Sequence, residues 1–393
     1  MMKPSPRLGW MFPAGLSLLA GLDAALILLG FPAPITLTRL AESHGMLLVL
    51  GFIGTLIALE RSVALGRWYG YIGPMLLGFG ALLVLVDPLP IWVGKAALTA
   101  GSAAFMLTYV PLWRRRYGAQ ILAQILGTSF ALTASIMWLS GSSMTRLIPW
   151  LTAFVVLTIA AERVELATIT LGNGAGARLL VHSWTVALAL IIGLAFPHLG
   201  AIALGLAYLA LALWLVRNDI ARYTVRAKGA VRFMAACMLG GYFWLIVGGV
   251  ILLLGYPTTV FAYDGFTHAI FLGYTMSMIM AHSTTILPAV LRIQLPYRGI
   301  LWLPAGLLHL GLIVRILWGD AFGFLPAWQW GGVLTIVALL VFVLSAITCV
   351  FAGPAKTEGG AGQESSTKEP NPARNLRRSQ PSSEPSTVEV TLD

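Results

Sequence analysis

The stretch "SHGMLLVLGFIGTLIALERSVALGRW" (Ser43–Trp68) decides the fold class of this chain. It opens with His44, continues as an apolar run and closes with the charged pair Glu60 and Arg61. A run of about 20 apolar residues predicts a helix that crosses a lipid bilayer. An ionisable side chain within such a helix is energetically costly, so His44 predicts a functional role.

The rest of the chain has the same character. Of its 393 residues 58% are hydrophobic and 10% charged, with a mean hydropathy of +0.85, whereas soluble domains have about 45–50% apolar and about 25% charged residues. We therefore expect an all-α polytopic membrane protein with about twelve transmembrane helices. The predicted spans start near Leu8, His44, Tyr71, Pro90, Gly118, Thr145, Arg178, Leu199, Ala230, Phe266, Ile300 and Trp328.

The composition divides the chain into two parts. Residues 1–352 form the predicted transmembrane domain, and after Ala352 the sequence becomes rich in Gly, Ser, Pro, Glu, Lys and Arg. Such a segment cannot bury enough apolar surface to fold. Residues 353–393 are therefore predicted to be a disordered, polar, cytoplasmic tail.

The basic residues predict the orientation of the bundle. With the N-terminus in the cytoplasm, all of the 25 Lys and Arg residues fall inside except Arg39, Lys95, Arg146 and Arg315. This excess of inside charge indicates a multi-pass protein of a bacterial-type inner (cytoplasmic) membrane with both termini in the cytoplasm. Basic loops that face anionic lipid account for the net charge of +10 without a nucleic-acid partner.

Two histidines are predicted at the same depth. The second and tenth spans both run inward, and they begin close to His44 and His268 respectively, whereas His282 lies about 21 Å deeper on the tenth span. Imidazole is a common ligand of haem iron and of copper. Histidines on two helices at one level are expected to hold a shared ligand. The alternative is that each merely bonds a neighbouring carbonyl or hydroxyl group.

A weak internal repeat relates the second, sixth and tenth spans. Glu60 and Arg61 in "GTLIALERSVAL" align with Glu162 and Arg163 in "LTIAAERVELAT". The alignment predicts three pseudo-repeated units of four helices, a kind of internal symmetry found in membrane proteins. The charge pairs are expected either to close the inner end of the bundle electrostatically or to serve a proton path.

Twelve spans, the "HG" pair that opens the second span, and the histidine that opens the tenth resemble the core subunit of haem-copper oxidases. In size and simplicity the chain is closer to the NnrS family of haem- and copper-containing membrane proteins. The resemblance implies that His44 and His268 are the axial ligands of a low-spin b-type haem, in electron transfer or in handling nitric oxide or another small gas. A His-His pair of the oxidase copper site is missing from the sequence, which argues against oxygen reduction.

Further residues extend this hypothesis. The arginines of the outer side are expected either to bind the haem propionates or to snorkel at the helix ends; they are Arg39, Arg146 and Arg315. A deeper copper(I) or second haem centre would use His282, Met278 and His182. A redox partner protein is also expected. The competing hypothesis is a twelve-span secondary transporter in which the intramembrane histidines and the Glu-Arg pairs are functional.

Overall fold

The computed structural model describes residues 8–167, 172 and 174–352, so the predicted tail lies outside the described residues. Within these residues the chain contains helices and no strand, and each predicted span corresponds to one helix. The helices are α1 (Leu8–Leu28), α2 (Leu40–Leu65), α3 (Trp68–Leu83), α4 (Ile91–Arg115), α5 (Ala119–Leu139), α6 (Met144–Leu166), α7 (Ala175–Ala195), α8 (Pro197–Asn218), α9 (Gly229–Leu253), α10 (Val260–Leu291), α11 (Gly299–Ala321) and α12 (Leu325–Ala352).

The length and composition of these helices confirm an all-α polytopic membrane protein. Among the described residues, eleven helices are long and apolar enough to cross a membrane, and α3 is a shorter apolar helix. At a rise of 1.5 Å per residue, α3 reaches only about 24 Å, which is less than the roughly 30 Å of a bilayer core. Helices suit this environment because each satisfies its own backbone hydrogen bonds where water is absent.

The three helices that the predicted repeat relates are the most buried helices of the bundle. Among the described spans, α2, α6 and α10 have the largest buried share. In α6 almost every residue from Leu147 to Ala161 is buried, which leaves no lipid-facing stripe on this part of the helix. The predicted equivalence of these three helices stays a prediction, since similar burial does not require a repeat.

Three helices contain π-helical segments at the level of the predicted site. The segments are Leu47–Gly54 in α2, Ala269–Met276 in α10 and Ile313–Ala321 in α11. In α2 the Thr55 hydroxyl donates to the carbonyl of Leu50, and in α10 the Thr275 hydroxyl donates to that of Ile270. Each threonine thus binds a carbonyl five residues earlier, within the widened turns. Such turns are frequent at functional sites.

Candidate functional site: a cavity between two histidines

His44 and His268 line one cavity in the interior of the bundle. The cavity has a volume of about 440 Å³, and its wall is mostly apolar, with Leu48, Phe52 and Phe271 among the lining side chains. Ligand pockets in proteins span about 300–1,000 Å³ and combine apolar walls with a few polar groups. The end of the bundle that contains this cavity is called the histidine end below, and the end that contains Glu60 the glutamate end.

In both imidazole rings Nδ1 is bonded to a backbone carbonyl group. Nδ1 of His44 lies 2.9 Å from the carbonyl oxygen of Gly21 in α1, and Nδ1 of His268 lies 2.9 Å from that of Asp264. A carbonyl oxygen can only accept, so each Nδ1 is the protonated donor, and in the neutral form of the ring Nε2 keeps its lone pair. A metal-ligating histidine has a second group of this kind, which fixes the tautomer and the ring orientation. The same bond is also what the alternative predicted, in which each histidine merely bonds a neighbouring carbonyl group.

A buried ion pair supports His268. The carboxylate of Asp264 lies 3.2 Å from Nδ1 of His268, and it accepts two hydrogen bonds of 2.7 Å from the guanidinium group of Arg315. Asp264 and Arg315 both line the cavity and are 8% and 6% exposed. A carboxylate in this position fixes the orientation of the histidine ring. The guanidinium group also lies over the ring of Trp328, 5.2 Å from its centre.

The three arginines that were expected to bind propionates occupy different places. Arg315 lines the cavity but uses Nε and Nη2 to bind Asp264. Arg39 instead donates to the carbonyl of Leu89 at 2.8 Å, beyond the end of α3, and Arg146 lines a separate cavity of about 530 Å³. Arg39 and Arg146 do not line the histidine cavity, because depth along a helix does not fix the direction in which a side chain points.

The glutamate end contains a second, smaller cavity. Its volume is about 90 Å³, and it is lined by His282 and Met278 together with Glu60 and Glu162. This volume is smaller than the roughly 300 Å³ of pockets for drug-sized ligands, and a second haem at this end stays a prediction. Copper at His282 and Met278 stays a prediction, and the described residues contain no group of three His, Cys, Asp or Glu side chains placed to hold a metal ion.

The structure does not bring His182 to His282. The ring of His182 packs against Trp214 of α8, with ring centres 5.3 Å apart, and α7 packs mainly against α5, α6 and α8. The expected pairing of the two histidines rested on their similar depth, but the face of α7 that contains His182 is turned toward α8. His182 does not line the cavity of His282.

Charged side chains from different helices join at the glutamate end. Arg61 of α2 donates to Glu60, Glu162 and Glu165, and Arg163 of α6 binds Asp219, which follows α8. Burial alone would raise the pKa of the Asp219 carboxyl group. Hydrogen bonds and the charge of Arg163, with further bonds from the Ala221 amide and the Tyr242 hydroxyl, hold this pKa below its usual value.

Sequence reasoning missed Asp264 and Asp219. Asp264 had a detectable signal, because it lies four residues before His268 and therefore on the same face of a helix. Asp219 follows α8 in the sequence "RNDIAR", where an acidic residue between arginines reads as an ordinary polar loop. Its pairing with Arg163 across 56 positions is a property of the tertiary structure.

The fold and the site define a class: a polytopic all-α membrane protein with two histidines in one interior cavity. The chain belongs to the family described as Domain of unknown function (DUF8744), whose model matches residues 7–351. The match therefore covers the described membrane bundle except its last residue, Ala352. No curated protein and no solved structure matches the chain.

Proposed function

We propose that this protein binds one b-type haem between His44 and His268 and transfers electrons. The observation that supports the proposal most strongly is the shared geometry of the two rings. Both line one cavity, and both have Nδ1 fixed by a carbonyl oxygen at 2.9 Å, which leaves Nε2 as the ligand atom.

The wall of the cavity suits a largely apolar group with a few polar atoms. Its volume of about 440 Å³ lies within the usual range for ligands and cofactors. The hydroxyl group of Thr267, another lining residue, is buried without a hydrogen-bond partner. A buried polar atom of this kind needs an explanation, such as an absent ligand or water. The residues present are thus compatible with haem.

The residues around the cavity hold the two histidine rings in fixed orientations. Gly21 holds the His44 ring through the α1–α2 contact, and Asp264, itself held by Arg315, fixes His268. A haem held by His44 and His268 would supply one-electron chemistry. Electron transfer is therefore the favoured role, and handling of nitric oxide or another small gas is the other role that a haem at this site would support.

The protein is further proposed to lie in an inner membrane and to exchange electrons with a redox partner. The distribution of Lys and Arg supports a bacterial-type inner membrane, with both termini in the cytoplasm and the histidine end outside. Electron transfer also requires a redox partner, either a protein or a small carrier.

The alternative function is a secondary transporter. The charged cluster around Arg61 favours it, because it lies beside a cavity in the interior of a bundle with many spans. This alternative needs no haem, so the two functions differ in one simple property, the colour of the purified protein.

The test is a visible spectrum of the protein purified in mild detergent from haem-replete cells. We expect a Soret band and sharp α and β bands on reduction, and a positive pyridine haemochrome assay. His44→Ala and His268→Ala should each remove this spectrum, and the double variant should be no worse, because two ligands of one iron act as a unit. His182→Ala is the matched control, since this ring packs on Trp214 outside the cavity. A colourless wild-type protein would refute the haem proposal and favour the transporter.

A further inference from the structure

The cavity that contains Arg146 lies next to the histidine cavity but is separate from the proposed haem site. Its volume is about 530 Å³, and residues of α6, α7, α8 and the first turns of α10 form most of its wall. Ile148 and Tyr263 line both this cavity and the histidine cavity, so the two spaces are direct neighbours. It is called the arginine cavity below.

The polar groups of the arginine cavity can donate hydrogen bonds and include a positive charge. Within the described part of the chain no carboxylate pairs with Arg146, and the Tyr263 hydroxyl has no hydrogen-bond partner. The hydroxyl of Tyr256 donates to the carbonyl oxygen of Thr145 at 3.3 Å. The described residues that line this cavity include no acidic side chain. A guanidinium group without a counter-ion, beside a free phenol, favours an anionic ligand such as a carboxylate.

The rest of the wall is mostly apolar and reaches deeper into the bundle. Leu204, Leu252 and Phe266 are buried lining residues from three different helices. Leu204 lies seven residues, or about 10 Å, beyond the start of α8. Leu194, which also lines the cavity, is 64% exposed, so the wall extends from the interior to the surface of the bundle. A charge near the helix ends with an apolar space below it matches a ligand with an anionic head and an apolar tail.

The volume of the arginine cavity limits the size of this ligand. A water molecule has one heavy atom and occupies roughly 30 Å³ in the liquid. At that density about 530 Å³ holds about 18 heavy atoms. One acyl chain of about sixteen carbons with its carboxylate has this size. A phospholipid, which has two such chains and a larger head, is too large for the same space.

We propose that the arginine cavity binds one long-chain fatty acid, whose carboxylate pairs with Arg146 and whose chain packs against the apolar wall. The hydroxyl of Tyr263 is the second donor to the carboxylate. Lipid tails are as apolar as this wall, so the charged head and close packing, rather than hydrophobicity, provide the selectivity. The site does not depend on haem, and its test works equally on haem-free protein.

The first measurement is native mass spectrometry of the delipidated full-length protein in mild detergent, with palmitate as the probe. We expect one bound palmitate per protein. Hexadecanol has the same chain without the charge, and octanoate has the same head with half of the chain. Both should bind about tenfold more weakly or worse, since a hydrogen bond to a charged group contributes at least that much to affinity. Absence of bound palmitate, or equal binding of hexadecanol, would overturn the proposal.

A competition experiment distinguishes the fatty acid from a membrane phospholipid. Phosphatidylglycerol is also anionic but has two acyl chains, so we expect an equal concentration of it to leave palmitate bound. Displacement of palmitate by phosphatidylglycerol would assign the cavity to a phospholipid and refute the fatty-acid proposal.

Substitutions at the head of the site test the charge pairing. Arg146→Leu should weaken palmitate binding by about tenfold or more, and Tyr263→Phe should weaken it severalfold, because each removes a donor to the carboxylate. Arg39→Leu is the matched control: Arg39 also lies at the histidine end, but it donates to the carbonyl of Leu89 and does not line the arginine cavity. An equal loss in Arg39→Leu would indicate attraction to basic residues in general and contradict a specific site.

The position of the chain is measured by photo-crosslinking with a palmitate that has a diazirine group. We expect crosslinked peptides from α8 and α9 in the wild-type protein. Ala201→Phe should abolish them, since Ala201 is buried in the wall and the larger ring fills the cavity. Ala203→Phe makes the same change on the same helix outside the cavity and should preserve them. Crosslinks that persist in both Arg146→Leu and Ala201→Phe would refute this site. Size-exclusion profiles and circular dichroism report whether each variant is folded.

Discussion

Asp264 contacts His268 twice, through its backbone carbonyl oxygen at 2.9 Å and through its carboxylate at 3.2 Å, both from Nδ1. The carboxylate is fixed in turn by two hydrogen bonds from Arg315. His44 has a simpler support, one carbonyl group that belongs to Gly21 of another helix. The two candidate ligands therefore differ, because His268 is held within its own helix and His44 depends on the packing of α1 against α2.

Replacement of Asp264 tests this difference. In Asp264→Asn the side chain loses its charge, so Arg315 is left without its buried partner and His268 loses a basic acceptor. We expect haem affinity to fall by about 10–100-fold, which is the usual effect of removing a group that hydrogen-bonds to a metal ligand. Haem titration of the purified apoprotein measures the change. Asp23→Asn is the control, because Asp23 is also buried but binds the amide of Ile35 outside the cavity; an equal loss there would indicate a general effect on folding.

Substitution of the arginines should separate those that matter for haem from those that do not. Arg315→Leu leaves Asp264 as an unpaired buried charge, so we expect it to lower haem content strongly. Arg146→Leu and Arg39→Leu should leave haem content within about twofold of wild type, since neither residue lines the histidine cavity. The measurement is the haem content per protein of the three variants. It distinguishes a structural role for Arg315 alone from propionate binding by all three arginines.

His282 provides a test of the separation between the two cavities. We expect His282→Ala to retain the low-spin spectrum, because His282 lines only the smaller cavity. Haem and copper content are measured on the same samples. If His282→Ala loses its haem while His44→Ala keeps it, the haem ligands have to be sought among His282, His182 and His309. Copper that disappears with His282 would indicate a second metal centre.

The pair of Arg163 and Asp219 is expected to be important for stability. Asp219 is fully buried, and removal of one partner from a buried ion pair costs about 3–5 kcal/mol. Asp219→Asn should therefore lower the Tm in detergent markedly, more than Asp87→Asn, which changes a partly exposed carboxylate. The folded-state pKa of Asp219 lies below its usual value of 3.8. The stabilisation is therefore fully present above about pH 4 and decreases as the pH falls further.

The orientation of the bundle is open to a reporter experiment. A reporter fused after Asp393 should be active in the cytoplasm, and one inserted near Pro257, between α9 and α10, should be active outside. Both expectations follow from the bias of Lys and Arg toward one side. The opposite pattern would place His44 and His268 on the cytoplasmic side and change the partners that can reach them.

Sequence reasoning worked where a property depends on one helix alone. The apolar runs were sufficient to predict the membrane class and the helix positions, because burial of backbone and side chains in lipid demands long apolar helices. Because successive spans cross the membrane in opposite directions, the second and tenth spans run the same way, and this predicted His44 and His268 at the same end of the bundle. Neither inference needs to know which helices are neighbours.

Rotation of each helix about its axis and the choice of neighbours were decided only in the tertiary structure. Hydropathy indicates how deep a residue lies in the membrane but not the direction in which its side chain points. His182 and His282 were therefore expected at one site, whereas His182 packs on Trp214. The π-helical segments of α2, α10 and α11 change the phase of the following residues, which a regular period of 3.6 cannot anticipate. The contacts between Asp264 and Arg315, and between Arg61 and Glu162, arise only when helices distant in sequence pack together.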